Sequence, residues 1–167
     1  SGLLYSAAAV DECSGRVVGH GALKFKTPGG SVAELAAGIV HPDVRRMGVF
    51  GLLEDFLIKQ ARRLELDGVF IDAVANHVAS QQLSEKSGFR SCAIMLGLLP
   101  SDSEFKGITG LAKQKISVLV RYKLLKDYSQ VKIYPPARHS RQIESLYKAI
   151  GIDVAVLLAS PAEACQG

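Results

Sequence analysis

Between an apolar run that ends at Val40 and a long amphipathic series that begins at Val49 stands RRMGVFG, residues 45–51. Two arginines and two glycines in that place suit one kind of chemistry. The first turn of a helix leaves backbone N–H groups without partners and concentrates about half a positive charge there. A phosphate group answers both deficits. Gly48 and Gly51 remove side chains that would hold a ligand off the backbone, and Arg45 and Arg46 add fixed charge beside it. The same residues also suit a plain solvated turn, since short glycine motifs arise often by chance. His20, His41 and His77 are of the residue type that suits proton transfer, although a lone histidine is more often structural.

The elements that must position this turn are read from periodicity. LLYSAAAV (3–10) and VVGHGALKF (17–25) are short apolar runs separated by the polar DECSG, the pattern of two strands joined by a tight turn. VAELAAGIV (32–40) predicts a third strand, stopped at His41-Pro42-Asp43 because proline cannot continue a paired strand. Val49, Leu52, Leu53, Phe56, Leu57, Ala61 and Leu64 recur at steps of three and four, which predicts a long amphipathic helix ending at Asp67-Gly68. GVFIDAVA (68–75) reads as a buried strand returning parallel to the third through a right-handed crossover. A second helix is expected over 78–86 with Gly88 as its left-handed cap, then a strand over 89–99. A long polar loop (100–113) and a strand (115–125) come next, and then a helix marked by Ile143, Leu146, Tyr147 and Ile150 and closed by Gly151. The class is therefore α/β.

Composition narrows the function. At 167 residues, 48% hydrophobic and 22% charged, the chain is a globular domain and neither disordered nor a coiled coil. Twenty Lys and Arg against 16 Asp and Glu give +4, too mild and dispersed for a nucleic-acid arm but compatible with a small anionic ligand. Cys13, Cys92 and Cys165 lack the spacing of a metal site, so no metal is expected and reduced thiols are the default. The longest apolar run, AIMLGLL (93–99), falls far short of the ~18 residues that span a bilayer. No leader pattern occupies the first 30 residues, and the expectation is a soluble, cytoplasmic protein without a membrane partner.

AELAAGIVHPDVRRMGVFGLLEDFLIKQARR resembles motif A of the GNAT superfamily of acyl-CoA-dependent N-acetyltransferases: Gln or Arg, two residues, Gly, one residue, then Gly or Ala. Arg45, Gly48 and Phe50 take those positions, Phe50 standing where a small residue is usual. NHVASQQLSEKSGFR resembles motif B, which closes on Lys86, Ser87, Gly88 and Phe89. The resemblance spans residues 3–125. It implies a mixed, largely antiparallel sheet flanked by helices, with a central parallel pair, the third strand and the crossover strand, splayed apart. It also implies acetyl-CoA as cosubstrate and transfer of its acetyl group to an amine on a small molecule or protein. Attack would be direct, because no cysteine stands at the motif positions to carry the acyl group.

Site residues are implied by the same resemblance. The pantetheine arm of the cosubstrate would pair with backbone at Ile39 and Val40 as an added strand does. The diphosphate would lie over Arg46, Met47, Gly48, Val49, Phe50 and Gly51 beside Arg45, and Asn76 would face the arm. A backbone N–H near Val40 would stabilise the carbonyl oxygen. Glu34, eight residues before Pro42 where related members place a glutamate, is the first candidate for general base; the competing role is a pair with a lysine of the next strand. Many members carry a tyrosine two residues before Lys86 as acid to the leaving thiolate. Here that position is Ser84, a much poorer acid, which keeps open a non-catalytic CoA-binding or regulatory module.

The expected organisation is an acetyl-CoA-binding domain over 1–125, without the family's first strand and two helices, and a C-terminal extension over 126–167 with one helix and room for a short strand. The abrupt start at Ser1-Gly2 suggests a segment of a longer protein. IYPPARHSRQIESLYKAIGI is similar to the segment after the acetyltransferase-like part in bacterial proteins with an ATP-binding, anti-sigma-like module ahead of it, which implies further domains on the same polypeptide.

Overall fold

The computed structural model describes residues 3–101, 114–128 and 131–157. Residues 102–113 of the loop expected over 100–113, and Cys165, lie outside them. The hydrogen-bonded order of the six main strands is β1 (Leu4–Val10), β2 (Val17–Phe25), β3 (Val32–Val40), β4 (Gly68–Val74), β6 (Ile116–Leu124), β5 (Arg90–Leu99), and a separate pair is β7 (Val131–Ile133) with β8 (Val154–Val156). All main strand pairs with a defined register are antiparallel except β3-β4, so the class is the mixed, largely antiparallel α/β sheet with one parallel pair. The chain forms two compact units, 1–72 with 123–126, and 73–122 with 127–167.

The first unit holds β1 (Leu4–Val10), β2 (Val17–Phe25), β3 (Val32–Val40), α1 (Val49–Arg63) and the start of β4 (Gly68–Val74). β1 and β2 pair antiparallel from Leu4↔Lys24 to Val10↔Val17. Asp11 organises their turn: its Oδ1 accepts the Ser14 amide at 2.8 Å and the Ser14 hydroxyl at 2.6 Å, and these bonds hold its carboxyl below the ordinary aspartate value. α1 buries Leu53, Leu57, Ile58 and Ala61, and β2 receives it on glycines. A Cβ at Gly19 would come within 2.9 Å of Leu53 Cδ1, and one at Gly21 within 3.0 Å of Leu57 Cδ1. Small residues on β2 therefore let the helix approach closely. At its far end Arg62 donates to the Leu125 carbonyl at 3.0 Å, and Lys126 pairs with Asp67 at 2.8 Å.

β3 and β4 run parallel through Val32↔Gly68, Ala33↔Val69 and Glu34↔Phe70, and there their pairing ends. β3 continues through residues 35–40.

The second unit holds α2 (Val78–Lys86), β5 (Arg90–Leu99), β6 (Ile116–Leu124), β7 (Val131–Ile133), α3 (Ser140–Ala149) and β8 (Val154–Val156). β5 and β6 pair antiparallel with two register shifts, and β7 and β8 pair parallel. β7 is only three residues long, too short to show a period in the sequence. Arg121 is buried on β6, where its guanidinium donates to the Gln81 carbonyl at 2.7 Å and the Phe89 carbonyl at 3.1 Å. Among the described residues, no helix is long and apolar enough to cross a membrane.

Candidate functional site

β3 hands over to α1 through a 3-10 turn, Pro42–Val44, in which the Arg45 amide donates to the Pro42 carbonyl at 3.2 Å and the Met47 amide to that of Val44 at 3.4 Å. His41 caps this turn, its Nδ1 accepting the Asp43 amide at 3.4 Å. Two left-handed residues then redirect the chain, Arg46 at φ +66° and Gly48 at φ +83°. Gly48 is the N-cap of α1 and offers no side chain to the helix start. The Leu52 amide reaches the Gly48 carbonyl at 3.1 Å. Among the described residues, the amides of Arg46, Gly48, Val49, Phe50 and Gly51 meet no acceptor.

A Cβ at Gly48 or Gly51 would meet nothing within 4 Å, so these glycines bare the backbone to open space and make room for no protein neighbour. Arg45, Arg46 and Met47 are exposed. Arg45 also ties the turn to the strand, its Nε donating to the Val40 carbonyl at 3.3 Å. Unpartnered donors at a positive helix end, with arginines alongside, fit a diphosphate.

The strand leading into this turn is bulged. Gly19 pairs with Val40 and His20 with Ile39, but Ala22 pairs with Ala36, so Ala37 and Gly38 together oppose the single Gly21. Ala37 is left-handed, φ +54°, a conformation that disfavours side chains. His20 steadies it by a 3.2 Å hydrogen bond between Nδ1 and the Ala37 carbonyl. The ring of Phe50 lies on Gly38: a Cβ there would stand 2.5 Å from its Cε2 and 3.3 Å from its Cζ. The aromatic residue in the small-residue position of the motif thus turns toward β3. Ile39 is 63% exposed.

Glu34 pairs with Lys24 across β2-β3, Nζ to Oε2 3.5 Å, the lysine role weighed against that of general base. Asp72 was not singled out from the sequence. By strand alternation it shares a face with Phe70, and hence with Glu34. Its Oδ1 is buried without a hydrogen-bond partner. Burial, and secondarily the charge of Glu34, push its carboxyl above the ordinary value, while Lys26 and Lys24 pull it down. An acid inside the otherwise apolar GVFIDAVA was the available signal. Among the described residues, no group of His, Cys, Asp or Glu is arranged to hold a metal ion.

In the second unit, Asn76 lies in the turn between β4 and α2. His77 caps α2, its Nδ1 accepting the Ser80 amide at 3.3 Å. All three histidines considered from sequence therefore make hydrogen bonds to backbone that shape turns, caps or the bulge. Ser84 is buried, and its hydroxyl donates to the Gln81 carbonyl at 2.8 Å, the same carbonyl that Arg121 engages.

Residues 2–89 match a family model described as the acetyltransferase (GNAT) family. No curated protein sequence gives a significant match. Among solved structures, the chain is similar to the ribosomal-protein-S18-alanine N-acetyltransferase from Escherichia coli, at TM-score 0.63 and 15% identity over 77% of this chain and 73% of that one. It is similar to the ribosomal-protein-alanine N-acetyltransferase from Brucella melitensis, at TM-score 0.56 and 23% identity over 73% and 69%. A Bacillus anthracis protein described as a streptothricin acetyltransferase, solved in complex with acetyl coenzyme A, aligns at TM-score 0.58 and 18% identity over 75% and 65%. At these identities the likeness is one of fold. The family model covers more than half of the chain and takes in the glycine turn, the bulged strand and the approach to β5 at Phe89: the chain belongs to the acetyltransferase (GNAT) family.

Proposed function

We propose that this chain transfers the acetyl group of acetyl-CoA to an amine by direct attack. One observation carries the reading: Gly48, left-handed at the N-cap of α1, leaves a run of backbone donors unpartnered between Arg45, Arg46 and the helix. The amides of Arg46, Gly48, Val49, Phe50 and Gly51 hold the diphosphate, the Met47 amide being turned to the Val44 carbonyl instead, and the two arginines supply charge. The edge of β3 at Ile39 and Val40, past its last pair with β4, receives the pantetheine arm as an added strand. Acetyl-CoA, when bound, supplies an activated thioester. Glu34 takes the proton of the acceptor amine, directly or through water, and a backbone N–H near Val40 polarises the acetyl carbonyl. The C–N bond forms, the C–S bond breaks, and the thiolate leaves with help from water. The acceptor is an amine of a small molecule or a protein, the two kinds that the names of the similar structures mention.

One observation favours a second reading, coenzyme binding without turnover: the Ser84 hydroxyl is buried and already donating to Gln81, so it offers no proton to a thiolate. Two measurements decide. CoA at one hundred times its Kd should raise stability by ~2.7 kcal/mol, seen as a thermal shift. Gly48→Asp, which sets a carboxylate where the diphosphate belongs, should abolish that shift. Equal responses from both proteins refute the assignment of the turn. Amine-dependent release of free thiol from acetyl-CoA supports transfer; a thermal shift without release across small amines and peptide amino termini supports the second reading.

A further inference from the structure

Phe50 stands where motif A usually has a small residue, and its surroundings give that departure a purpose. Its backbone amide belongs to the unpartnered run at the start of α1, while its ring reaches back to the bulge of β3. Three ring atoms, Cε2, Cζ and Cδ2, lie 2.5, 3.3 and 3.5 Å from the place a Cβ on residue 38 would take. A side chain at residue 38 would have to displace the ring. The bulged segment is paired with β2 on either side of Ala37 and Gly38, but among the described residues its other edge is left without a strand partner. Its pairing with β4 has ended at Glu34, Ala37 sits in a left-handed conformation, and Gly38 and Ile39 are exposed. His20 and Arg45 fix the carbonyls of Ala37 and Val40, and the ring fixes the residue between them from the helix side.

Resting on the function proposed above, we infer that Phe50 is a positioning residue: by locking its ring onto Gly38 it sets the β3 edge at a fixed distance from the glycine turn, so that one ligand can engage both. A ligand that spans turn and strand feels this lock, and a ligand that touches the turn alone does not. CoA is the first kind. ADP, which carries the diphosphate without the pantetheine arm, is the second.

The test compares the wild type with Phe50→Ala, Gly38→Ala and the double variant, reading Kd for CoA and for ADP together with amide hydrogen exchange of residues 37–40 in the free protein. Each single variant should weaken CoA about tenfold while moving ADP less than about twofold. The double variant should lose no more than the worse single one, because both changes break the same contact. Exchange at 37–40 should quicken in Phe50→Ala without any ligand present. Unchanged CoA affinity and unchanged exchange in Phe50→Ala would overturn the inference, as would equal losses for CoA and ADP, which would make Phe50 a residue of the turn alone. A wild type that binds neither ligand would refute the proposed function, and the exchange rates would still judge the lock.

Discussion

Asp72 holds one carboxylate oxygen, Oδ1, buried without a hydrogen-bond partner, near the charge of Glu34. Such a group strains the folded state when ionised. Because its carboxyl is raised above the ordinary aspartate value, the folded chain holds that proton more tightly than the unfolded chain does. Its contribution to stability is therefore best at low pH and declines as pH climbs from the ordinary value through the raised one. Asp72→Asn should stabilise the protein at pH 7 by about 1 kcal/mol, with the gain fading below the ordinary aspartate range, as urea titrations across pH would read. A variant weaker at neutral pH would show that the ionised oxygen has a partner. Glu34→Gln should lower the rate of acetyl transfer about a hundredfold and leave CoA affinity unchanged, measured by thiol release beside calorimetry. The two acids differ in how legible they were. Glu34 stood out in a strand of alanines, but no pattern of residue types says which oxygen of Asp72 goes unpaired, since that depends on the packing around it.

At the scale of elements, α1 shows how much periodicity can say. Its three-and-four spacing placed the helix from Val49, and the observed helix is Val49–Arg63. Its partner surface was not readable, because Gly19 and Gly21 on β2 look like any loop-prone glycines until a helix lies on them. The bulge at Ala37 had one signal, the isolated Gly38 inside a strand, but that Ala37 is the left-handed residue is set by tertiary contacts. Gly51 tests the division between fold and function in this helix. It lies in the first turn with nothing near its missing Cβ. Gly51→Ala should raise the stability of the free protein by roughly 0.5 kcal/mol through helix propensity. On the proposed function it should also weaken CoA, because the methyl intrudes on the diphosphate. Denaturant melts and a binding titration check the two signs, and a variant that gains stability while binding CoA as before would move the diphosphate elsewhere.

For the whole molecule, the formal charge of +4 is modest, but Arg45 and Arg46 lie exposed at the glycine turn. Binding of the highly anionic CoA should therefore weaken severalfold between about 0.05 and 0.5 M salt as screening shortens the reach of these charges. Titrations at both salt levels would show it, and an affinity indifferent to salt would put the nucleotide away from the arginines. The parallel crossover was expected from the order of apolar runs and the mixed sheet from the motif resemblance, while the extension was expected to hold one short strand and holds the pair β7-β8, whose strands have three residues each. The early end of the β3-β4 ladder reaches furthest. Beyond Glu34 the strand keeps a margin that its own neighbour never completes. A guest chain laid along that margin becomes, for as long as it stays, part of the architecture, and every departure takes apart what its arrival built.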